Sequence, residues 1–319
     1  MQKNLLIIKK KILVTGAAGY IGSMLTTKLV HYGFNVLAVD LLKYDKNSLS
    51  HLYFYKNFEF IKADISKDNV VRKILKDCDF IIPLAALVGA PLCEKFKNEA
   101  KKINVNSIKL ILKYKKKNQK IIYPTTNSGY GVGQKNKYCD ENSPLKPVSL
   151  YGNTKAEAEN LIYQAKNSIC FRLATVFGFS FRMRTDLLVN SFVERASKNK
   201  ELKIFQPNFR RNFIHIQDVV SAFLFAINNF TKLKNNIYNL GLSSANLTKL
   251  NLAKRIKKYQ SDLKIKLINN KFDPDKRDYY VSNKKIEEAG FVPQITLDYG
   301  ILELLKLFKY SNIKFKNNY

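Results

Sequence analysis

The first half of the chain alternates short apolar runs with longer stretches in which apolar residues return every third or fourth position. The runs predict strands at Lys11–Thr15, Asn35–Asp40, Phe58–Ala63, Phe80–Ala85, Lys120–Thr125 and Ile169–Thr175. The helical period predicts helices over Tyr20–Tyr32, Asp68–Lys76, Glu94–Lys116 and Tyr151–Asn167. Strands this rich in Val, Ile and Leu, alternating with amphipathic helices, call for a parallel sheet covered on both faces. The expected fold is α/β, a doubly wound, Rossmann-like parallel sheet. After about Val176 the pattern is less regular, with long loops and scattered helices. That predicts a smaller, discontinuous α/β lobe built from 176–212 and 241–319, with 213–240 returning to the first domain, 1–175. No internal repeat or low-complexity linker is visible.

Between the first strand and the first helix lies VTGAAGYIGS, Val14–Ser23, with glycines at 16, 19 and 22. Glycines there let backbone approach a phosphate at a helix N-terminus, where free N–H groups and the helix dipole favour anions. Alone, the triplet also fits an ordinary strand-to-helix turn. The second strand ends at Asp40, 18 residues after Gly22, where a carboxylate can bond ribose hydroxyls and repel a 2′-phosphate. Leu41, Leu42 and Lys43 follow it, with no arginine, so NAD is expected rather than NADP. Gly16, Gly19, Tyr20, Ile21, Gly22 and Asp40 are the first cofactor residues.

SLYGNTKAEAE sets Tyr151 and Lys155 four apart at the start of a helix, on one face. A tyrosine near pKa 10 is a poor base at neutral pH. A neighbouring ammonium and a cationic nicotinamide would make a usable phenolate. Thr126 lies 25 residues earlier, at the end of the fifth strand in PTTNSGYG.

This order of features resembles the short-chain dehydrogenase/reductase superfamily in its extended branch, the NAD-dependent epimerases and dehydratases of nucleotide sugars. The GxxGxxG spacing carries the resemblance, with Thr126 four residues before Tyr130–Gly131 and then the YxxxK pair. The resemblance implies a tightly bound NAD and makes Thr126, Tyr151 and Lys155 the catalytic set. It implies adenine contacts at Asp64 and Ile65 of KADI, a small-residue cofactor wall at Ala85 and Ala86, and a structural Asn104. Pro83 departs from it, standing where many relatives have His. In the second lobe it implies sugar and diphosphate contacts at Arg182, Arg184 and Asn190. It adds Arg211 of FRRNFIHIQDV and Arg277 of DPDKRDYY as diphosphate arginines, Asn212 replacing the usual Asp and His215 as structural. YNLG at 238–241 and EAGFVP at 288–293 complete a likeness running from Lys11 to about Phe308. Family pairing through long helices implies a homodimer or homotetramer using Glu94–Lys116 and Tyr151–Asn167.

Dehydrating and decarboxylating relatives carry an acid just after the catalytic Thr. This chain has Asn127 and Ser128, neither a general acid nor base near neutral pH, and both become candidate substrate contacts. None of the four cysteines, 78, 93, 139 and 170, falls beside Thr126 to epimerise C3 or C5. The expected reaction is oxidation at C4 of a nucleotide-diphosphate sugar. A 4-dehydrogenase leads and a 4-epimerase is the alternative, with 4,6-dehydration behind both. PTTNSGYGVGQ and ENSPLKPVSLYGNTK further resemble a capsule and lipopolysaccharide branch that includes GDP-heptose C4-dehydrogenases.

The net charge of +30 raises a different class, a dinucleotide-sensing or RNA-binding protein. The 46 lysines are spread along the chain and only 9 arginines accompany them, so solvated surface lysines are the expected reading, without a nucleic-acid partner. The positive field also suits an anionic substrate. Scattered cysteines and three histidines give no metal-ligand spacing. The apolar patch at 5–8 is followed by lysines and a strand, and no run spans a membrane, so a cytoplasmic protein is expected.

Overall fold

The computed structural model describes residues 10–133, 137–268, 277–310, 315, 317 and 318; the apolar patch at 5–8 lies outside them. Five strands follow the predicted order: β1 (Lys11–Thr15), β2 (Asn35–Asp40), β3 (Phe58–Lys62), β4 (Phe80–Pro83) and β5 (Lys120–Thr126). After the two-residue β6 (Tyr138–Cys139) come β7 (Ser168–Leu173), β8 (Thr175–Phe177), β9 (Glu201–Phe205), β10 (Arg210–His215) and β11 (Asn236–Leu240). The main sheet has seven strands in the order β11-β7-β5-β4-β1-β2-β3. Its registered pairs are all parallel. The order reverses between β1 and β4, so a crevice opens beyond their carboxyl ends, where open α/β sheets take ligands.

Helices α1 (Tyr20–His31) and α2 (Asp68–Ile74) sit close to their predicted spans. Glycine ends α1: Gly33 has φ +82°, a conformation costly for other residues. The single helix expected over 94–116 is instead three helices and a π-helical turn. These are α3 (Ala90–Lys95), α4 (Lys97–Lys101), the turn Lys102–Asn106 and α5 (Ser107–Tyr114). Phe96 breaks the helix, with φ −126° and ψ 61°. The π turn buries Asn104, whose amide bonds the Leu87 backbone and Thr154. A hydrophobic period does not register one inserted residue. Helix α6 (Leu150–Gln164) starts at Ser149, whose hydroxyl accepts from Gly152 N at 3.2 Å.

The strand expected over 169–175 bends at Ala174. Its first part is β7; its second, β8, pairs with β10 in a separate three-stranded sheet. The less regular second half also holds α7 (Leu188–Asn199), α8 (Ile216–Asn228) and two two-stranded sheets. Strand β11 closes one edge of the main sheet beside β7, and the packed core is continuous from α1 to α8. Among the described residues no helix is long and apolar enough to cross a membrane.

Candidate active site

Each predicted cofactor residue faces one cavity along the carboxyl ends of β1 to β5. Gly16 follows β1 at φ +70°, and a Cβ there would collide with the Leu84–Ala85 backbone. A Cβ on Gly22 would collide with the Gly16 and Ala17 carbonyls, and one on Gly19 would press on the Gly16 carbonyl oxygen at 3.1 Å. The first and third glycines therefore let the turn close, and the middle one sits in a tight but less severe contact. Helix α1 begins at Gly19 with no side-chain cap and no acid in its first turn, so its N–H groups are available to an anion. Tyr20 and Ile21 line the same cavity, with the Tyr20 hydroxyl donating to Gly178 O at 2.7 Å.

Asp40 ends β2 and accepts from Ala18 N at 3.0 Å and Leu42 N at 2.8 Å. Burial raises its pKa against these bonds and the nearby Arg182 charge. Asp64 and Ile65 follow β3, and Ala85 and Ala86 follow β4. Burial raises the Asp64 pKa, but bonds from Ser66 and the Lys102 and Lys67 charges hold it below the usual range. Pro83 closes β4 opposite Thr15, whose hydroxyl is buried without a hydrogen-bond partner among the described residues.

The Tyr151–Lys155 face of α6 looks into the same cavity. Thr126 bonds Tyr151 and, at 2.9 Å, Ser128 Oγ. Arg277 Nη1 donates to Ser128 Oγ, extending the chain of groups to the second half of the protein. Burial pushes the Tyr151 phenol up to about 12; Arg277, Arg184 and the Thr126 bond pull it down. Burial also pulls the Lys155 ammonium down to about 7, against the Cys170 and Glu159 charges. A buried Arg172–Glu159 pair, 2.7 Å apart, ties α6 to β7 beneath these residues.

The expected substrate residues disperse. Arg182 and Arg184 line the cavity. Both terminal nitrogens of Arg182 are buried without a hydrogen-bond partner among the described residues, and its guanidinium lies 4.9 Å from the Tyr44 ring, on the Asp40 side. Arg184 pairs with Asp186. Asn190, expected at the sugar, is fully buried; its amide serves Gly178 N, Tyr20 and Arg184 O. It cannot reach a ligand without breaking those bonds. Arg211 donates to the carbonyls of Arg210 and Arg277. Asn127 and Ser128 are buried beside Thr126, and both polar atoms of the Asn127 amide lack a partner among the described residues. His215 caps α8 and bonds Glu303 at 2.9 Å, a structural placement. Sequence reasoning missed Tyr123, whose hydroxyl meets Lys155 at 2.6 Å; its place directly before Pro-Thr-Thr gave no signal beyond a strand's apolar run.

The sheet reversal, the glycine turn on an uncapped helix and the carboxylate ending β2 define a Rossmann-like dinucleotide-binding protein. The chain belongs to the NAD dependent epimerase/dehydratase family, whose family model matches residues 12–241. A Methanocaldococcus jannaschii protein, provisionally named UDP-glucose 4-epimerase, is 30% identical over 94% of this chain and 99% of its own. Human dTDP-D-glucose 4,6-dehydratase is 26% identical over 97% of this chain and 92% of its own. The solved Bacillus cereus UDP-glucuronic acid 4-epimerase, bound to UDP-glucuronic acid and NAD, is 25% identical. It covers 94% of this chain and 99% of its own, with a TM-score of 0.83. The family is NAD-dependent, and the turn that a Cβ would fill, the open N–H groups of α1 and Asp40 fit that cofactor.

Proposed function

We propose that this protein oxidises C4 of a nucleotide-diphosphate sugar with NAD. The observation that carries this reading is that Tyr151 and Lys155 line the cavity that the glycine turn and Asp40 also line, with Thr126 bonded to Tyr151 behind it. Tyr151 takes the proton of the C4 hydroxyl, and Thr126 bonds the same oxygen. When bound, NAD accepts a hydride and brings a positive charge beside the phenol. Tyr151 needs that help: at about 12 its phenol is almost wholly protonated at neutral pH. Lys155, which lines the cavity, would bond the ribose of a bound NAD and lend its own charge to the phenolate. Arg211 and Arg277, with Arg184, are proposed to meet the substrate diphosphate, where planar guanidinium suits phosphate oxygens.

The fate of the 4-keto sugar separates two readings. Release makes a 4-dehydrogenase. That reading rests on the capsule-sugar resemblance around Thr126 and takes GDP-heptose as substrate in surface polysaccharide synthesis. Reduction from the other face makes a 4-epimerase. The 4-epimerase names of the M. jannaschii relative and of the B. cereus structure favour this second reading. Dehydration is disfavoured by Asn127 and Ser128, which supply no acid or base beside Thr126. The same proposal makes the protein a cytoplasmic homodimer or homotetramer.

The test is incubation with GDP-, UDP- and dTDP-sugars, read by mass spectrometry and chromatography. Loss of two hydrogens supports the dehydrogenase, and an unchanged mass with a new sugar isomer the epimerase. Loss of water contradicts the reading of Asn127 and Ser128.

A further inference from the structure

Strand β5 sends its side chains alternately to two apolar layers. Ile122 enters the layer shared with α1 and α8. Tyr123 enters the opposite one, against Ala158 and Ile162 of α6 and Cys170 of β7. Tyr123 is 2% exposed. A phenylalanine ring would fill nearly the same space, and a buried hydroxyl is unfavourable unless it is hydrogen-bonded. Its partner among the described residues is Lys155, whose Nζ donates to Tyr123 Oη at 2.6 Å. The same Nζ donates to Pro124 O at 2.7 Å and stands 4.0 Å from the Tyr123 ring centroid. An ammonium has three N–H donors. Two are therefore held by consecutive residues of β5, leaving one for the cavity that Lys155 lines.

We infer that Tyr123 is a positioning residue: its hydroxyl, with the Pro124 carbonyl, holds the Lys155 ammonium charged and aimed into the cavity beside Tyr151. This rests on the role proposed above for Lys155. The other groups facing the pair are Tyr151 and Glu159 of α6 and Cys170 of β7. Glu159 is already committed to Arg172. Tyr151 in turn faces Cys93 of α3, Thr126 of β5 and the guanidiniums of Arg184 and Arg277. Among the described residues, the bonds to Lys155 Nζ come from Tyr123 and Pro124 alone, and Tyr123 supplies the side-chain one. A hydroxyl accepting from an ammonium favours its charged form, against the burial that lowers it. Without that hydroxyl, Lys155 gives up its proton more readily and Tyr151 loses a cation that favours its phenolate.

The test is Tyr123→Phe in the NAD-loaded enzyme, which removes one oxygen and keeps the ring. The acid limb of its kcat profile moves to higher pH by about one unit. At neutral pH kcat falls roughly tenfold, the KM for the sugar nucleotide stays unchanged, and Tm is unchanged or slightly lower. A second arm follows the Lys155 side chain by lysine-labelled NMR, with Lys155→Met identifying its resonance. Lys155 titrates lower in Tyr123→Phe than in the wild type. A kcat profile superposing on the wild type overturns the inference. If the wild type turns over no sugar nucleotide, the failure belongs to the proposed function. The NMR arm then decides, and superposing titrations overturn the inference.

Discussion

The two sides of the cleft are built by different means. On the cofactor side, Gly16, Asp40, Asp64, Ala85 and Thr126 each stand at or just beyond the end of a strand in one parallel sheet. Parallel register aligns those ends, so five separate stretches of chain arrive at one place without further instruction. On the side proposed for the substrate, Arg182 and Arg184 come from the segment after β8, Arg211 from β10 and Arg277 from a segment before the C-terminal helix. All but Arg211 sit on loops, and their placement draws on partners far away in sequence, such as Ser128 for Arg277. A sheet edge tolerates change between its strands, whereas a loop-built side is re-specified by each substitution. Cofactor use should therefore be the firmer property of this chain and sugar choice the more variable one.

The sharpest way to break this comparison is at the residue where both sides meet. Tyr151→Phe should lower turnover by roughly a hundred- to ten-thousandfold, the range of a lost general base, while bound NAD persists. Retained activity in that variant rules out the proposed proton transfer. Next comes the cofactor side alone. Gly16→Val forces a branched side chain into φ +70° and against the Ala85 backbone. The variant should fold, by circular dichroism, yet purify without NAD; normal NAD content would show that the turn has more room than its packing implies.

Arg182 tests the boundary between the sides. It was expected at the sugar and diphosphate, but its guanidinium, whose terminal nitrogens have no hydrogen-bond partner among the described residues, lies by Asp40 and Tyr44. Arg182→Met should weaken NAD binding about ten- to a hundredfold, the size of a lost charged hydrogen bond, and leave the KM for the sugar nucleotide alone. Calorimetry with NAD separates the cases, since the opposite pattern returns Arg182 to the substrate.

The smallest effect is one of stability. Burial pulls Lys155 from 10.5 to about 7, so above pH 7 the native state has released a proton that the unfolded chain still holds. Unfolding then takes up a proton, and stability from this group rises with pH between those two values. The penalty is full below about 7. Lys155→Met removes it, so the cofactor-free variant should exceed the wild type in Tm most at low pH, the gap closing as pH rises. A gap independent of pH contradicts the buried ammonium.

Much of the cofactor side was legible because its signals are local. An apolar run, a glycine triplet and a carboxylate at a fixed distance each report backbone geometry within a few residues. The π turn at Lys102–Asn106 was not legible, since inserting one residue leaves the apolar period nearly intact. Nor was the fate of Asn190, which looks like a polar residue near a sugar. Its amide is consumed by Gly178, Tyr20 and Arg184, three partners that only the folded chain brings together. Tyr123 escaped for the same reason: in sequence it is another bulky strand residue, and its chemistry exists only because α6 lays Lys155 across it.

The central claim is hydride removal from C4, and it is tested most directly in a single turnover. NAD-loaded protein is mixed with a nucleotide sugar carrying deuterium at C4, and the cofactor is then recovered for mass spectrometry. The account predicts reduced cofactor carrying the deuterium when turnover is stopped early, and no such transfer in Tyr151→Phe. Sugar nucleotide that turns over while its C4 deuterium never reaches the cofactor would contradict it.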